Sequence, residues 1–232
     1  MKERSNQLAL FAVFILPLLV ILASPSFNSL AMNLNQPSAR VAAGPTVAKF
    51  YSMGGLYDGW VLESGEFTGV GGSMNTTGSL VFLGDDKANR QYRGILSFNT
   101  NPLPPHATIV GATVGVDGNG VVGINPFSFA RLNSDIIRGV YGRNKLLQLI
   151  DFQAASSLNN AGGPARCVVT GWCTFGLSSP ALAFINTSGL TQIRLRFTPD
   201  DNNNKKADYY KIYSGDSLLK GTKPYLQVSY YP

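Results

Sequence analysis

The chain has 232 residues, of which 44% are hydrophobic, 11% aromatic and 14% charged, and its formal net charge is +6. An average soluble domain carries about 25% charged residues, so a folded surface here relies on hydroxyl, amide and glycine groups. This composition excludes a charge-rich disordered chain, which combines few apolar residues with high net charge. It also argues against a long coiled coil, which is rich in Ala, Glu, Lys, Leu and Arg.

The first 31 residues have the pattern of a secretory signal peptide. Lys2 and Arg4 precede an uncharged apolar stretch at residues 8–23, and residues 29–31 (SLA) match a cleavage site. This stretch is shorter than the roughly 20 residues that span a bilayer, which favours cleavage over an uncleaved anchor. We therefore predict a secreted, extracellular or cell-surface protein with no membrane span after cleavage.

Behind the signal peptide we predict a linker at 32–45 and a single domain at 46–232. The alternation is clearest at residues 192–197, where Ile193, Leu195 and Phe197 alternate with polar side chains, as in a strand with one buried and one solvated face. This pattern places the arginines of that segment on the outer face. The predicted strands, in chain order, are 47–51, 59–63, 79–84, 90–100, 109–116, 135–140, 192–197, 209–213 and 226–230.

Short strands separated by Gly-, Asn- and Asp-rich turns predict an all-β fold, an antiparallel β-sandwich of jelly-roll type. Residues 145–157 have near-helical apolar spacing and predict one short inserted helix. Cys167 and Cys173 close a small loop, and in an exported protein their pairing as a disulfide is favoured over metal binding.

The segment from 200 to 208 (DDNNNKKAD) is the best local signal for a ligand. Asp200, Asn202 and Asn204 alternate, and Asp201 and Asp208 add carboxylates, which are the oxygen ligands that Ca²⁺ prefers. The EF-hand pattern itself is absent, and two lysines inside the segment oppose a cation. The alternatives are a structural Ca²⁺ site and a solvated turn.

Aromatic residues are the second feature of the sequence that indicates a ligand. The hydrogens on the apolar face of a sugar ring carry partial positive charge and stack on the electron-rich face of an aromatic ring. We predict a carbohydrate-binding surface that includes Trp60, Trp172 and Tyr231, with Arg194 and Arg196 as polar neighbours. The alternative is that these rings fill the β core.

Signals for catalysis and for nucleic-acid binding are weak. His106 is the single histidine and no GxSxG motif is present, so neither a serine–histidine site nor a two-histidine zinc site is indicated. Glu63 and Glu66 are the only glutamates after the signal peptide, and two carboxylates suffice for a glycosidase. The Lys and Arg residues are scattered rather than clustered, which disfavours nucleic acid and leaves attraction to acidic glycans.

Several short segments occur in a recognisable order: 57–64 (YDGWVLES), 71–73 (GGS), 83–85 (LGD), 93–98 (RGILSF), 103–104 (LP) and 107–109 (ATI). In this order they resemble DNRLRE-type domains, a group that overlaps the family 96 carbohydrate-binding modules of secreted bacterial and archaeal proteins. The later segments 151–154 (DFQA), 194–197 (RLRF) and 200–208 resemble a related, longer subgroup of cell-surface proteins. The resemblance implies a jelly-roll-like β fold and an extracellular, non-catalytic role.

These observations lead to three functional hypotheses. The first is a secreted non-catalytic module that binds polysaccharide or a cell-envelope glycan. The second is a structural cell-surface or extracellular-matrix subunit that self-assembles through its sheet edges. The third is a small polysaccharide lyase or hydrolase.

Overall fold

The computed structural model describes residues 44–164 and 166–232. The predicted signal peptide and all but two residues of the predicted linker lie outside these ranges. No helix among the described residues is long and apolar enough to cross a membrane.

Antiparallel strands dominate the structure, so the predicted all-β class is confirmed. All nine predicted strands form, and three more appear at β3, β8 and β9. The strands are β1 (Thr46–Tyr51), β2 (Gly59–Glu63), β3 (Gly71–Asn75), β4 (Leu80–Asp85), β5 (Gln91–Asn99), β6 (Thr108–Val122), β7 (Arg131–Arg138), β8 (Leu158–Gly162), β9 (Thr170–Gly176), β10 (Leu190–Thr198), β11 (Asp208–Tyr213) and β12 (Tyr225–Tyr231).

All strands belong to one curled sheet, whose main path runs β1-β12-β6-β11-β4-β5-β10-β7-β8. β2 pairs with β5 and carries β3, and β9 pairs with β6. The long strand β6 contacts β12 along its first half, β11 along its second half, and β9 across its middle. Along the main path the sheet ends at β1 and β8, and lateral assembly through such edges stays a prediction.

The curl of the sheet encloses the main core. Leu83, Leu96, Val114, Ile193 and Leu226 come from five strands, and all five are fully buried in it. Burial of side chains of this size stabilises the fold by about 1.5–3 kcal/mol each.

A second, smaller core lies beneath the connection between β7 and β8. Val61 and Ile95 of the sheet pack there against Tyr141, Leu147 and Phe152 of that connection. The sheet is therefore buried on both faces at this point, and the expectation of one wet face is wrong for β10.

The predicted helix at 145–157 does not form as an α-helix. The chain makes a single 3-10 turn at Leu149–Phe152, and the one α-helix among residues 44–164 and 166–232, α1 (Ser179–Leu182), lies elsewhere. The reason is tertiary. The Arg194 guanidinium Nη1 donates to the carbonyls of Asp151, Phe152 and Ala154 at 2.8–3.1 Å, so these carbonyls bond to a strand instead of a further helical turn.

Arg194 and Arg196 share a buried carboxylate. Asp135 Oδ2 accepts from Arg194 Nε at 3.1 Å and Nη2 at 2.9 Å, and from Arg196 Nε at 3.0 Å. Burial alone would raise the pKa of Asp135, but hydrogen bonds from Arg196 and the Asn160 amide, together with both guanidinium charges, hold it below its usual value. This group is a structural ion-pair cluster.

Asp58 provides a pH-dependent test of the fold. It is fully buried, and its Oδ2 accepts from the Ser52 hydroxyl and the Gly215 amide, each at 2.7 Å, while Oδ1 has no partner. Burial raises the pKa of Asp58 to about 6, although the hydrogen bonds from Ser52 and Gly215 act in the opposite direction. The folded state therefore keeps this proton to a higher pH than the unfolded chain does.

From this shift we expect the carboxyl to favour folding below about pH 4 and to lose that contribution as the pH rises through 6. The free energy of unfolding of Asp58→Asn, relative to that of the wild type, should therefore increase by about 2–3 kcal/mol from pH 4 to pH 7. Urea unfolding of both proteins at the two pH values measures this difference. If the two proteins differ in unfolding free energy by the same amount at both pH values, the raised pKa of Asp58 is contradicted.

Candidate functional site

An exposed patch of aromatic and cationic side chains lies on the outer face of β1, β12, β6 and β9. On β1 the burial alternates, so that Lys49 and Tyr51 face solvent while Ala48 and Phe50 pack against the core. Tyr51 stands directly opposite Tyr225, the first residue of β12. We call Lys49, Tyr51, Trp172 and Tyr225 the aromatic face.

Tyr225 can lie flat on the sheet because its partner on β6 is Gly115. A Cβ at Gly115 would come within 2.3 Å of two atoms of the Tyr225 ring, so only glycine leaves room for it. The ammonium of Lys49 lies 4.1 Å from the centroid of the Tyr225 ring, within the range of a cation–π contact. These contacts fix the ring and bring a positive charge to it.

Trp172 extends the aromatic face from the neighbouring strand β9. Its ring centroid lies 5.0 Å from that of Tyr225 with the planes tilted by 45°, and 41% of the residue is exposed. β9 alternates strictly: Cys173 and Phe175 enter the core, and Trp172 points outward.

The disulfide between Cys167 and Cys173 closes the turn that carries this tryptophan, which confirms the predicted pairing. The two Cα atoms are 5.4 Å apart. Gly171, immediately before Trp172, has φ +101°, a conformation that glycine adopts without strain. Disulfide and glycine together place an indole ring on the surface next to an anchored cysteine.

The aromatic face borders two clefts that share Tyr51 and Gly221 and so adjoin each other. The first, of about 310 Å³, is lined by the aromatic face itself and Gly221. The second, of about 410 Å³, adds Leu218 and Leu219 and the cations Lys220 and Lys223. Among the residues lining these two clefts there are three lysines and no acidic side chain.

This arrangement suits an elongated ligand with apolar faces and negative charges. Exposed rings offer stacking surfaces, and the three ammonium groups attract anions. Of the residues of the aromatic face, only Trp172 is predicted from the sequence as a carbohydrate-binding residue. Lys49 and Tyr51 share one face of the predicted strand 47–51, which was a signal that they are exposed together. Their proximity to Trp172, however, depends on the pairing of β1, β12, β6 and β9.

Tyr231 is exposed, as predicted, but lies at the far end of β12 from Tyr225. The two tyrosines are six positions apart along the strand, which separates them by about 20 Å. Trp172 and Tyr231 therefore lie on two strands that both pair with β6, but they do not form one site.

Trp60 belongs to a different aromatic group. Its ring stacks on Phe82 at 5.5 Å, Phe82 stacks on Tyr209 at 4.8 Å, and Tyr92 meets all three edge-on or tilted. Trp60 also packs against the main core. Because neighbouring rings cover one another's faces, this row is better suited to stabilising the sheet than to stacking a sugar.

The two arginines predicted as polar neighbours do not join the aromatic face. Arg194 is only 4% exposed and its guanidinium donates internally, so its prediction as a sugar-binding residue is wrong. Arg196 is partly accessible, but its three nitrogens donate to Asp135, Asn160 and Thr198. Both arginines are occupied by the buried cluster described above.

The carboxylates considered for hydrolysis are also held by the fold. Glu63 is buried and accepts from the Gly69 amide at 2.6 Å and the Gln91 amide at 3.4 Å. Glu66 accepts from the Asn89 side chain at 3.2 Å. His106 is exposed beside a separate cleft of about 580 Å³.

The predicted calcium residues do not all converge. Asp208 is fully buried, whereas Asp200 is exposed. Asn202 and Asn204 donate their side-chain amides to Asp208 at 2.8 and 2.7 Å, so nitrogens rather than oxygens face that carboxylate. Asp201 accepts from the Asn203 amide at 2.6 Å.

No protein-family model matches the chain, and no curated protein matches its sequence. Among solved structures, the chain is similar to a mutant of Xylanase10C from Cellvibrio japonicus in complex with xylopentaose. The sequence identity is 13% and the TM-score 0.36, and the match covers 77% of this chain and 28% of the xylanase chain. The chain therefore spans less than a third of that protein, and so distant a likeness assigns it no activity. The resemblance to DNRLRE-type domains stays a prediction.

Proposed function

We propose that the protein is a secreted, non-catalytic module that binds an acidic polysaccharide on its aromatic face. The observation that carries this proposal is the grouping of exposed Trp172 with Tyr225 and Tyr51, bordered by Lys49, Lys220 and Lys223. Rings supply stacking surfaces for the apolar faces of sugars, and the lysines supply complementary charge for carboxylate or sulfate groups.

The open shape of the site agrees with a polymer ligand. Two adjoining clefts, one on the sheet and one against the 217–223 loop, accommodate a stretch of chain rather than enclosing a single small molecule. The side chains that line them are aromatic, aliphatic, serine and lysine, so the clefts themselves present no carboxylate as a general acid or base. Asp117, which stands opposite Trp172 on β6, is largely buried. A lyase or hydrolase would need such groups beside the bound chain.

The test is retention of the full secreted domain on an insoluble polyuronate compared with an uncharged glucan. We expect binding to the polyuronate at 50 mM NaCl and at least a tenfold loss of affinity at 500 mM NaCl, because the Debye length shortens from over 10 Å to about 4 Å.

Salt-independent binding to both polymers would reject the electrostatic part of the proposal. Absence of binding to any neutral or acidic glycan would reject the proposal as a whole. Release of reducing or unsaturated sugars during the incubation would favour the enzyme hypothesis instead.

A further inference from the structure

A cleft of about 580 Å³ lies at the opposite end of β6 from the aromatic face. It is lined by Ile109 near the start of β6, which pairs with Tyr230, whereas Gly115 further along the strand pairs with Tyr225. Ile109 and Gly115 are six positions apart on the strand, a separation of about 20 Å. This cleft is therefore distinct from the proposed polysaccharide site.

The floor of the cleft is apolar and belongs to the main core. Ile185 is buried in that core, and Ile109 and Leu182 are partly buried against it. We call these three residues the apolar floor. Ala183, which follows the last residue of α1, is exposed and also lines the cleft. Ligand sites in proteins typically combine such an apolar surface with a few polar groups that orient the ligand.

Hydrogen bonds fix the segments that surround the cleft. Thr187 Oγ1 donates to the Pro105 carbonyl at 3.2 Å, which joins the turn after α1 to the turn before β6. The Asn186 amide donates to Thr191 Oγ1 at 2.9 Å, and the Asn186 carbonyl accepts from the Thr100 hydroxyl at 2.6 Å. The two sides of the cleft are thus attached to each other and to β10.

Arg138 brings an unpaired cation to the cleft. It is the last residue of β7, stands opposite Thr191 on β10, and is exposed. Its main-chain amide donates to Ser157 Oγ at 3.2 Å, but within residues 44–164 and 166–232 its guanidinium has no ion-pair or hydrogen-bond partner. A guanidinium in this state is free to bind a carboxylate through two parallel N–H bonds.

The segments that build the cleft carry no negative charge. Apart from Arg138, every lining residue belongs to residues 87–116 or 152–199, and neither range contains an Asp or Glu. His106 and Ser179 also line the cleft, and an imidazole and a hydroxyl can both donate hydrogen bonds. One cation and two further donors above an apolar floor suit a ligand with one anionic group and a hydrocarbon part.

We propose that this cleft binds a small monocarboxylic acid, with the carboxylate on Arg138 and the hydrocarbon part on the apolar floor. The planar guanidinium matches the planar carboxylate, and His106 and Ser179 offer donors to its remaining acceptor positions. A single cation balances a single negative charge, which favours a carboxylate over a doubly charged phosphate ester. The site is independent of the aromatic face and of its ligand.

Sodium hexanoate is the probe, and sodium acetate and hexanamide are the matched controls. Each is titrated into the full secreted domain while two-dimensional amide NMR spectra are recorded. We expect saturable shifts for residues 106–109 and 181–187. Hexanoate should bind at least about tenfold more tightly than acetate, because each buried CH₂ contributes about 0.8 kcal/mol. It should also bind at least about tenfold more tightly than hexanamide, which offers no charge to the guanidinium.

Arg138→Gln should weaken hexanoate binding at least about tenfold. The matched control Arg131→Gln alters an exposed arginine at the other end of β7 and should leave binding unchanged. Ala183→Trp fills the cleft without changing its charge and should abolish binding. A wild type without saturable shifts would overturn the proposal, as would equal affinity for hexanoate and either control ligand. Hexanoate binding that survives both Arg138→Gln and Ala183→Trp would overturn it too.

Discussion

Trp172→Ala is expected to reduce affinity for an acidic polysaccharide by roughly 30-fold or more, which corresponds to about 2 kcal/mol. The indole is the largest ring of the aromatic face and lies beside the lysines of the clefts, and aromatic anchors of this kind dominate binding energy. Because 41% of Trp172 is already exposed, its removal should lower the Tm only slightly. Affinity electrophoresis in gels containing polyuronate, with a melting curve for each variant, measures both effects.

Two variants sharpen this experiment. Trp172→Phe keeps a ring and should retain part of the affinity. Phe67→Ala removes an aromatic that is 83% exposed but lies in the loop between β2 and β3, and it should bind like the wild type. Equal losses for Trp172→Ala and Phe67→Ala would show that the aromatic face is not the binding surface.

Asp135→Ala is expected to destabilise the fold by about 3–5 kcal/mol, the cost of breaking a buried ion pair from one side. Asp135 is fully buried, and its removal leaves Arg194 and Arg196 without their shared carboxylate. The matched control is Arg90→Ala, which breaks the more exposed pair with Asp86 and should cost no more than about 1 kcal/mol.

Urea unfolding of both variants at pH 7 gives the comparison. Similar midpoints for Asp135→Ala and the wild type would mean that the cluster does not stabilise the domain. The destabilisation caused by Asp135→Ala should extend to the 139–157 connection, since Arg194 donates to three of its carbonyls. Hydrogen exchange in that connection should therefore accelerate more than in β12.

The strands could be predicted because alternation is a local property. In β10, β11 and β12 the side chains that enter the main core recur at every second position, which follows from the geometry of an extended chain. The disulfide was predictable from spacing and the inferred oxidising compartment. β3, with its sequence GGSMN, was not recognisable because it carries no apolar alternation and depends on pairing with β2.

The candidate sites depended on pairings that no local pattern encodes. Trp172, Tyr225 and Lys49 are far apart in the chain and meet because β9, β6, β12 and β1 lie side by side.

The alternation of apolar and polar residues and the Gly-, Asn- and Asp-rich turns by themselves determined a β fold, because neighbouring residues encode both. The low fraction of charged residues indicated a surface built mainly from uncharged polar groups. Which polar groups stay on that surface was decided by the tertiary structure alone. The 139–157 connection covers β10 and turns Arg194 from a predicted surface residue into a buried ion-pair partner. The physical reason is that burial depends on what packs across a strand, whereas alternation reports only the direction in which a side chain points.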